Sequence, residues 1–298
     1  MAVTATPQPV TFETPHRNRR LVATTRFVRG QPLATFGLAV LILALVGAVV
    51  GPSLAPQDPY ATSILNSLQT PGSDHWFGTD NLGRDVFSRV LVATRFSLLL
   101  GVAATIVGIS LATAIGLFSG YVGGTVDSAI QRVVDAAMGI PFLLFLLMVV
   151  TMIGASFMTI ALVIGFYNGV TNSRVIRGSV LGTKQEMYIE AARSVGVPPG
   201  IILLRHVLPN VMATVIIITS LTLGASVLAE SSLSFLGYGV PPPDPTWGQM
   251  MGLEARPYIT KGPWMAVFPG LALTIVVFSI NVLGDGLRDV LDPRLRGR

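Results

Sequence analysis

The chain has 298 residues, is 51% hydrophobic and only 12% charged. Soluble domains carry roughly 25% charged residues, so most of this chain is built for lipid. Its net charge of +5 lies in short basic clusters beside apolar runs, which reads as membrane topology rather than a nucleic-acid surface, and the lack of cysteine excludes disulfides and thiolate chemistry.

Residues 1–31 are polar and basic, with Arg17, Arg19, Arg20, Arg26 and Arg29, and Pro7, Pro9 and Pro15 oppose a helix at the start. They read as a cytoplasmic tail. Residues 33–50 form the first uncharged apolar run, long enough at about 1.5 Å per residue to approach a bilayer core of about 30 Å. A cleaved signal peptide is the competing reading. The run exceeds a usual signal core, and Pro56 after Ala55 makes a poor cleavage site, so the segment reads as a retained anchor.

The next polar connection contains HWFGTDNLGRDVFSRV (75–90). Asp80 is placed to cap an interfacial helix starting near Asn81, with Phe87, Val90 and Leu91 on one face and Arg84, Arg89 and Arg95 reaching water or headgroups. The stretch 96–118 is a second span rich in Gly and Ala, a composition that lets helices approach closely in lipid. A short link with Asp127, Arg132 and Asp135 leads to a third span, from near Val134 to Ile153, kinked at Pro141. A fourth covers 157–170 and continues helically past Asn172. A fifth covers 211–229. A proline-rich loop, including Pro241-Pro242-Pro243, carries Trp247 towards an interface belt with Trp264, and the sixth span is 264–283.

With the N-terminus inside, six spans place 15 of the 20 Lys and Arg residues on the cytoplasmic side. This positive-inside bias fixes the expected orientation, with both termini cytoplasmic. The expected architecture is all-α. A tail (1–31) is followed by a first helix and external loop (32–95), a membrane core (96–285) and a C-terminal tail (286–298).

The polar interruption 182–210, GTKQEMYIEAARSVGVPPGIILLRHVLPN, then lies in the cytoplasm. Thr183-Lys184-Gln185-Glu186 has the form of a capping box and predicts a helix starting at Thr183. Gly196 is placed to end it in the left-handed conformation. Met187, Tyr188, Ala191, Ala192 and Val195 make one apolar stripe. Pro198 or Pro199 opens a second short helix, and Pro209 opens the fifth span. The small surface of Ala191 and Ala192 lets a partner approach closely, and Glu190 can fix that approach with a charge-assisted bond. Periodicity alone favours an amphipathic helix lying on the membrane.

This segment resembles the EAA loop of bacterial ABC-importer permeases, at Glu190, Ala191, Ala192, Gly196, Leu208 and Pro209. FGTDNLGRDVFSRV (77–90), ESSLSFLGYGVPPPDPTWGQMM (230–251) and the closing PG…NVLGDGLRDVLDPR (269–294) resemble the C-type permease of dipeptide and oligopeptide importers. The chain departs from the pattern at Val197-Pro198-Pro199-Gly200, where the family usually has a small polar residue and few prolines. The resemblance implies a six-helix type I importer permease in the bacterial plasma membrane. Its EAA loop (176–209) would be the coupling element seated on an ATP-binding subunit. It also implies three kinds of partner: a homologous second permease, two ATPase subunits or one fused ATPase, and an external binding protein.

A phosphate-cradling P-loop needs Gly-Lys-Ser/Thr, whereas Lys184 and Lys261 each follow a threonine. ATP and Mg2+ are therefore expected in the partner ATPases, with no cofactor or metal on this chain. His16, His75 and His206 fall on different sides of the membrane. Met138, Met148, Met152 and Met158 read as packing. Asn168, Asn172, Glu230 and Asn281 are polar positions in or beside spans, candidates for the solute path or for helix–helix contacts. Another solute, such as a nickel chelate or glutathione, fits the same architecture. An intramembrane enzyme is disfavoured because the spans hold few ionisable groups, although Gly284-Asp285-Gly286 has part of an aspartyl-protease pattern.

Overall fold

The structure, a computed structural model, describes residues 31–291. The two predicted tails fall outside these residues, apart from Gln31 and 286–291. The regular structure of the described residues is helical, with one isolated β-bridge between Thr79 and Asp85. Eight helices carry the fold: α1 (Pro32–Leu54), α2 (Val86–Val122), α3 (Gly124–Met138), α4 (Phe142–Ile153), α5 (Phe157–Thr183), α6 (Met187–Ser194), α7 (Leu208–Phe235) and α8 (Trp264–Leu291). Four segments are long and apolar enough to cross a membrane: Pro32–Leu54, Val86–Val122, Pro199–Phe235 and Trp264–Val290. The α3–α4 pair passes the same test only as one segment bent by 85°. The third predicted span is thus broken rather than kinked, with Pro141 starting its second half.

Close backbone approach organises the bundle. On α1 only Ala34, Gly37, Ala48 and Gly51 are buried. A Cβ at Gly37 would stand 2.6 Å from the Ser279 carbonyl of α8. On α5 a Cβ at Gly165 would stand 2.7 Å from the Ala104 carbonyl of α2. Where lipid gives no hydrophobic drive between helices, such small residues allow the dispersion contacts that hold them together. The large apolar side chains of α1, among them Leu43 and Val49, face outward.

Several local expectations are corrected. Asp85, not Asp80, caps the helix that follows, accepting from the Ser88 N–H at 2.8 Å. That helix is no separate interfacial element: α2 runs unbroken for 37 residues. Asp80 instead folds its own loop, accepting from the Leu82 and Arg84 N–H groups at 2.8 and 2.9 Å and from Arg84 Nε at 2.6 Å. Arg89 does not reach water. It is 1% exposed and donates to Glu254 at 2.6 Å, which Arg84 also meets at 3.2 Å. Trp247 is not in an interface belt but is fully buried, because its segment folds back on α7. There, Cβ atoms at Gly248 and Gly252 would each stand 2.1 Å from the Ser231 and Phe235 carbonyls. Met138, Met148, Met152 and Met158 project outward rather than packing inside the chain. Helix α8 continues to Leu291, into the stretch expected as a tail.

The ends of the helices alternate. Gln31 donates to Asp289 at 3.1 Å, so the start of α1 meets the end of α8. Lys184, after α5, donates to the Tyr121 carbonyl of α2 at 2.6 Å. Ser179 of α5 meets Thr214 of α7 at 3.1 Å. One end of the bundle therefore gathers both described chain ends and the 182–210 loop. The other gathers the 55–85 loop and the 236–263 connection, clamped by Glu254.

Candidate functional site

The 182–210 loop begins where α5 ends. Thr183 is the last residue of α5, and its hydroxyl donates back to the Ser179 carbonyl at 3.0 Å. A threonine so engaged cannot cap a following helix, so the capping box does not form. Helix α6 starts at Met187 with Glu186 before it, and Glu186 makes no side-chain cap. The C-terminus follows the sequence expectation. Gly196 has φ +79°, its N–H bonds Arg193 at 3.0 Å, and the Val197 N–H bonds Ala192 at 3.1 Å. These two bonds form a Schellman motif, which needs the left-handed glycine between them.

Pro199 opens the next turn, Pro199–Ile201. A six-residue π-helical segment, Ile202–Val207, joins it to α7. As expected, Pro209 stands in the first positions of α7, although the π-helical segment runs into that helix without a break. Its missing N–H is accommodated by the wide register, in which the Leu208 N–H reaches back to Leu203. Asn210 Nδ2 caps the His206 carbonyl at 2.6 Å.

The facing of α6 matters most. Ile189 is its one buried residue. It enters a cluster with Ile176 and Val180 of α5 and with Ile202, Val207 and Val211, flanked by Ala192, Val197 and Leu208. The predicted apolar stripe is therefore split. Ala192 turns inward, while Met187, Tyr188, Ala191 and Val195 turn out, with Met187 at 84% and Val195 at 80% exposed. Glu190 is exposed among them and forms no ion pair among the described residues. The Tyr188 phenol is held above its ordinary pKa by partial burial and by the Glu186 carboxylate, so it is neutral at physiological pH. Of the sequence candidates, Glu190, Ala191, Gly196 and Pro209 lie on the surface, whereas Ala192 and Leu208 help seat the loop.

The loop rests on a polar joint that the sequence reading missed. Asp127 of α3 accepts from Arg177 of α5 at Nε (2.6 Å) and Nη2 (2.5 Å), and also from the Ser119 hydroxyl. A second pair, Asp135 with Arg174, joins the same helices.

The polar span positions divide. Asn168 donates to Ser226 at 3.1 Å and Asn172 to Thr222 at 3.3 Å, tying α5 to α7. Glu230 is fully buried and accepts from Ser234 at 2.6 Å and Ser231 at 3.2 Å, with Ser97 and Thr246 also bonded to it. These three hold helices together within the chain. Asn281 is exposed on α8, beside Gly224 of α7.

Comparison with known proteins agrees with this architecture. Residues 112–297 match the family model described as binding-protein-dependent transport system inner membrane component. Residues 23–71 match the N-terminal TM domain of oligopeptide transport permease C. The oligopeptide transport system permease protein OppC of Bacillus subtilis is 36% identical, over 90% of this chain and 88% of that protein. The glutathione transport system permease protein GsiD of Pectobacterium atrosepticum is 39% identical, over 91% of this chain and 90% of that protein. The dipeptide transport system permease protein DppC of B. subtilis is 37% identical, over 91% and 85%. A chain of the MetNI methionine ABC transporter, in an inward-facing conformation, shares the fold at TM-score 0.57 and 17% identity, covering 68% of this chain and 96% of that one. With a bundle of long apolar helices and a family match over most of its length, the chain belongs to the binding-protein-dependent transport system inner membrane components, the permeases of ABC transporters.

Proposed function

We propose that this chain forms half of the translocation pathway of a peptide importer and is driven by separate ATPase subunits that dock on α6. One observation carries the reading. A short, well-anchored helix turns Met187, Tyr188, Ala191 and Val195 away from the bundle, around a Glu190 that forms no ion pair among the described residues. An apolar patch with a central charge, on a loop held rigidly from below, is a docking surface. The end of the bundle bearing it is cytoplasmic by the positive-inside bias. Both tails share that side: α1, α2, the broken α3–α4 pair, α7 and α8 supply five crossings, and α5, 27 residues long but less apolar, makes the sixth. ATP and Mg2+ then reside in the docked subunits. A second permease completes the pathway, and solute arrives from an external binding protein.

Di- or oligopeptides are the solute class favoured by the relatives named for oligopeptide and dipeptide transport. A relative named for glutathione, equally well covered, supports that tripeptide as the second reading. Ligand binding by the cognate binding protein separates the two. For the class itself, Glu190→Ala and Ala191→Trp should each lower peptide uptake and release the ATPase on purification, while membrane insertion stays normal. Undiminished uptake together with full ATPase retention in both variants would sink the docking role.

A further inference from the structure

Helix α3 is an unusual connector. Only Asp127 and Val134 are buried along its 15 residues. It leaves α2 through Gly123 and Gly124, at φ +73° and +61°. Neither glycine is needed for space: a Cβ at Gly124 would meet nothing, and one at Gly123 would meet only Lys184 Nζ at 3.6 Å. Their role is conformational, a left-handed pair that turns the chain sharply. At its other end α3 breaks by 85° into α4. Leu146 and Val150 of α4 pack in the cluster that holds Ile160 and Ile164 of α5, Leu100 of α2 and Leu233 of α7.

Between these two joints, α3 is fastened to α5 by the Asp127–Arg177 and Asp135–Arg174 pairs. The inner pair is elaborated. The guanidinium is bidentate, the Ser119 hydroxyl donates to the same carboxylate, and Gln131 donates to Ser119 at 3.1 Å. Planar two-point pairing fixes distance and rotation together, which a single contact does not. Arg177 stands six residues before the end of α5. The chain then passes directly into α6.

From this geometry we infer that Asp127 and Arg177 are positioning residues for energy coupling. They strap the inner end of α5, and with it the docking helix, to the α3–α4 bracket. Displacement of α6 is thereby carried into the part of the bundle where α4 packs. The inference rests on the permease reading and adds the route by which the loop's motion leaves the loop. With the strap cut, the docking face remains and the ATPases still bind and turn over, but the work is no longer delivered to the helices.

The test uses the whole transporter, purified through a tag on this chain and reconstituted in proteoliposomes with its binding protein. The probe is whichever of labelled Ala-Ala and glutathione the wild type imports. Recovery of ATPase subunits with the wild-type chain tests the permease reading, and solute imported per ATP hydrolysed tests the strap. Asp127→Asn and Arg177→Gln should keep ATPase recovery and hydrolysis within about twofold while import per ATP falls about tenfold. Arg177→Lys, which keeps the charge without the two-point geometry, should fall between them and wild type. The exchange Asp127→Arg with Arg177→Asp should recover part of the loss. Asp135→Asn, at an exposed pair that folding tolerates, should lower the same ratio by about threefold even if the inner variants do not assemble. An unchanged ratio in Asp135→Asn and in any inner variant that assembles, or hydrolysis and import falling in strict proportion, overturns the inference.

Discussion

Replacing Ile189 by alanine should detach α6 without unfolding the bundle. Ile189 is wholly buried and is the only residue of α6 that is. Truncating a fully buried isoleucine costs about 2–5 kcal/mol in lost burial and residual cavity. The neighbours here include Ile176, Val180 and Ile202, held by their own long helices and unable to collapse into the space. A value near 3 kcal/mol lowers the closed-to-open ratio of the loop by about two orders of magnitude. The loss is local, because α6 meets the rest of the chain chiefly through this side chain. Trypsin reports it, since Lys184 precedes the helix and Arg193 lies in its last turn. In purified protein, cleavage after Arg193 should accelerate by about a hundredfold if it proceeds through the open loop, while the thermal midpoint of the bundle moves little. Ile189→Val, costing about 0.5–1.5 kcal/mol, should accelerate it only severalfold. Met187→Ala removes an outward side chain and should leave the cleavage rate alone while weakening ATPase retention. Equal cleavage rates in Ile189→Ala and wild type, or equal acceleration by Met187→Ala, would refute the seat-and-face division of this helix.

Glu254→Gln should destabilise the end of the bundle that holds the 55–85 loop by about 3–5 kcal/mol, since it leaves the buried Arg89 with the Asp80 carboxylate at 3.6 Å and the Pro59 carbonyl at 3.4 Å, and a thermal melt of the purified chain reads it. Gly165→Ala forces a Cβ to within 2.7 Å of both the Ala104 carbonyl and Val107 Cβ. The α2–α5 contact should loosen by about 1–3 kcal/mol, lowering the melting midpoint with no change in ATPase binding per folded molecule.

The apolar runs and the turn glycine were legible because their causes are local. A charge-free stretch of sufficient length reads as a span, and Gly196 reads as a helix stop, from neighbours a few positions away. Misreadings arose where two local solutions compete. Asp80 and Asp85 both precede a helical pattern, and only the fold decides that Asp80 closes its own loop while Asp85 caps. Thr183 has the right spacing to Glu186, but its hydroxyl is taken by the turn behind it. The pairs that knit the molecule were beyond reach for another reason. Arg177 finds Asp127 fifty positions away, and Arg89 finds Glu254 at a separation of 165. No periodicity records such meetings. The stripe on α6 was visible as a stripe, but which part faced the bundle depended on Ile189 finding a seat made by three other segments.

The unbroken passage from Pro199 through Phe235 makes this part of the chain a lever. Its foot stands beside α6, and α7 alone, at 28 residues, is about 42 Å long. A tilt of about 10° at the foot would swing the far tip by about 7 Å. That tip is not free: the Trp247 segment lies against its carbonyls too closely to slide, and Glu254 grips the opposite loop. A tilt of this helix at its foot therefore shifts the 236–263 connection at its tip in the same stroke, and the two ends of the bundle are geared together through a single segment.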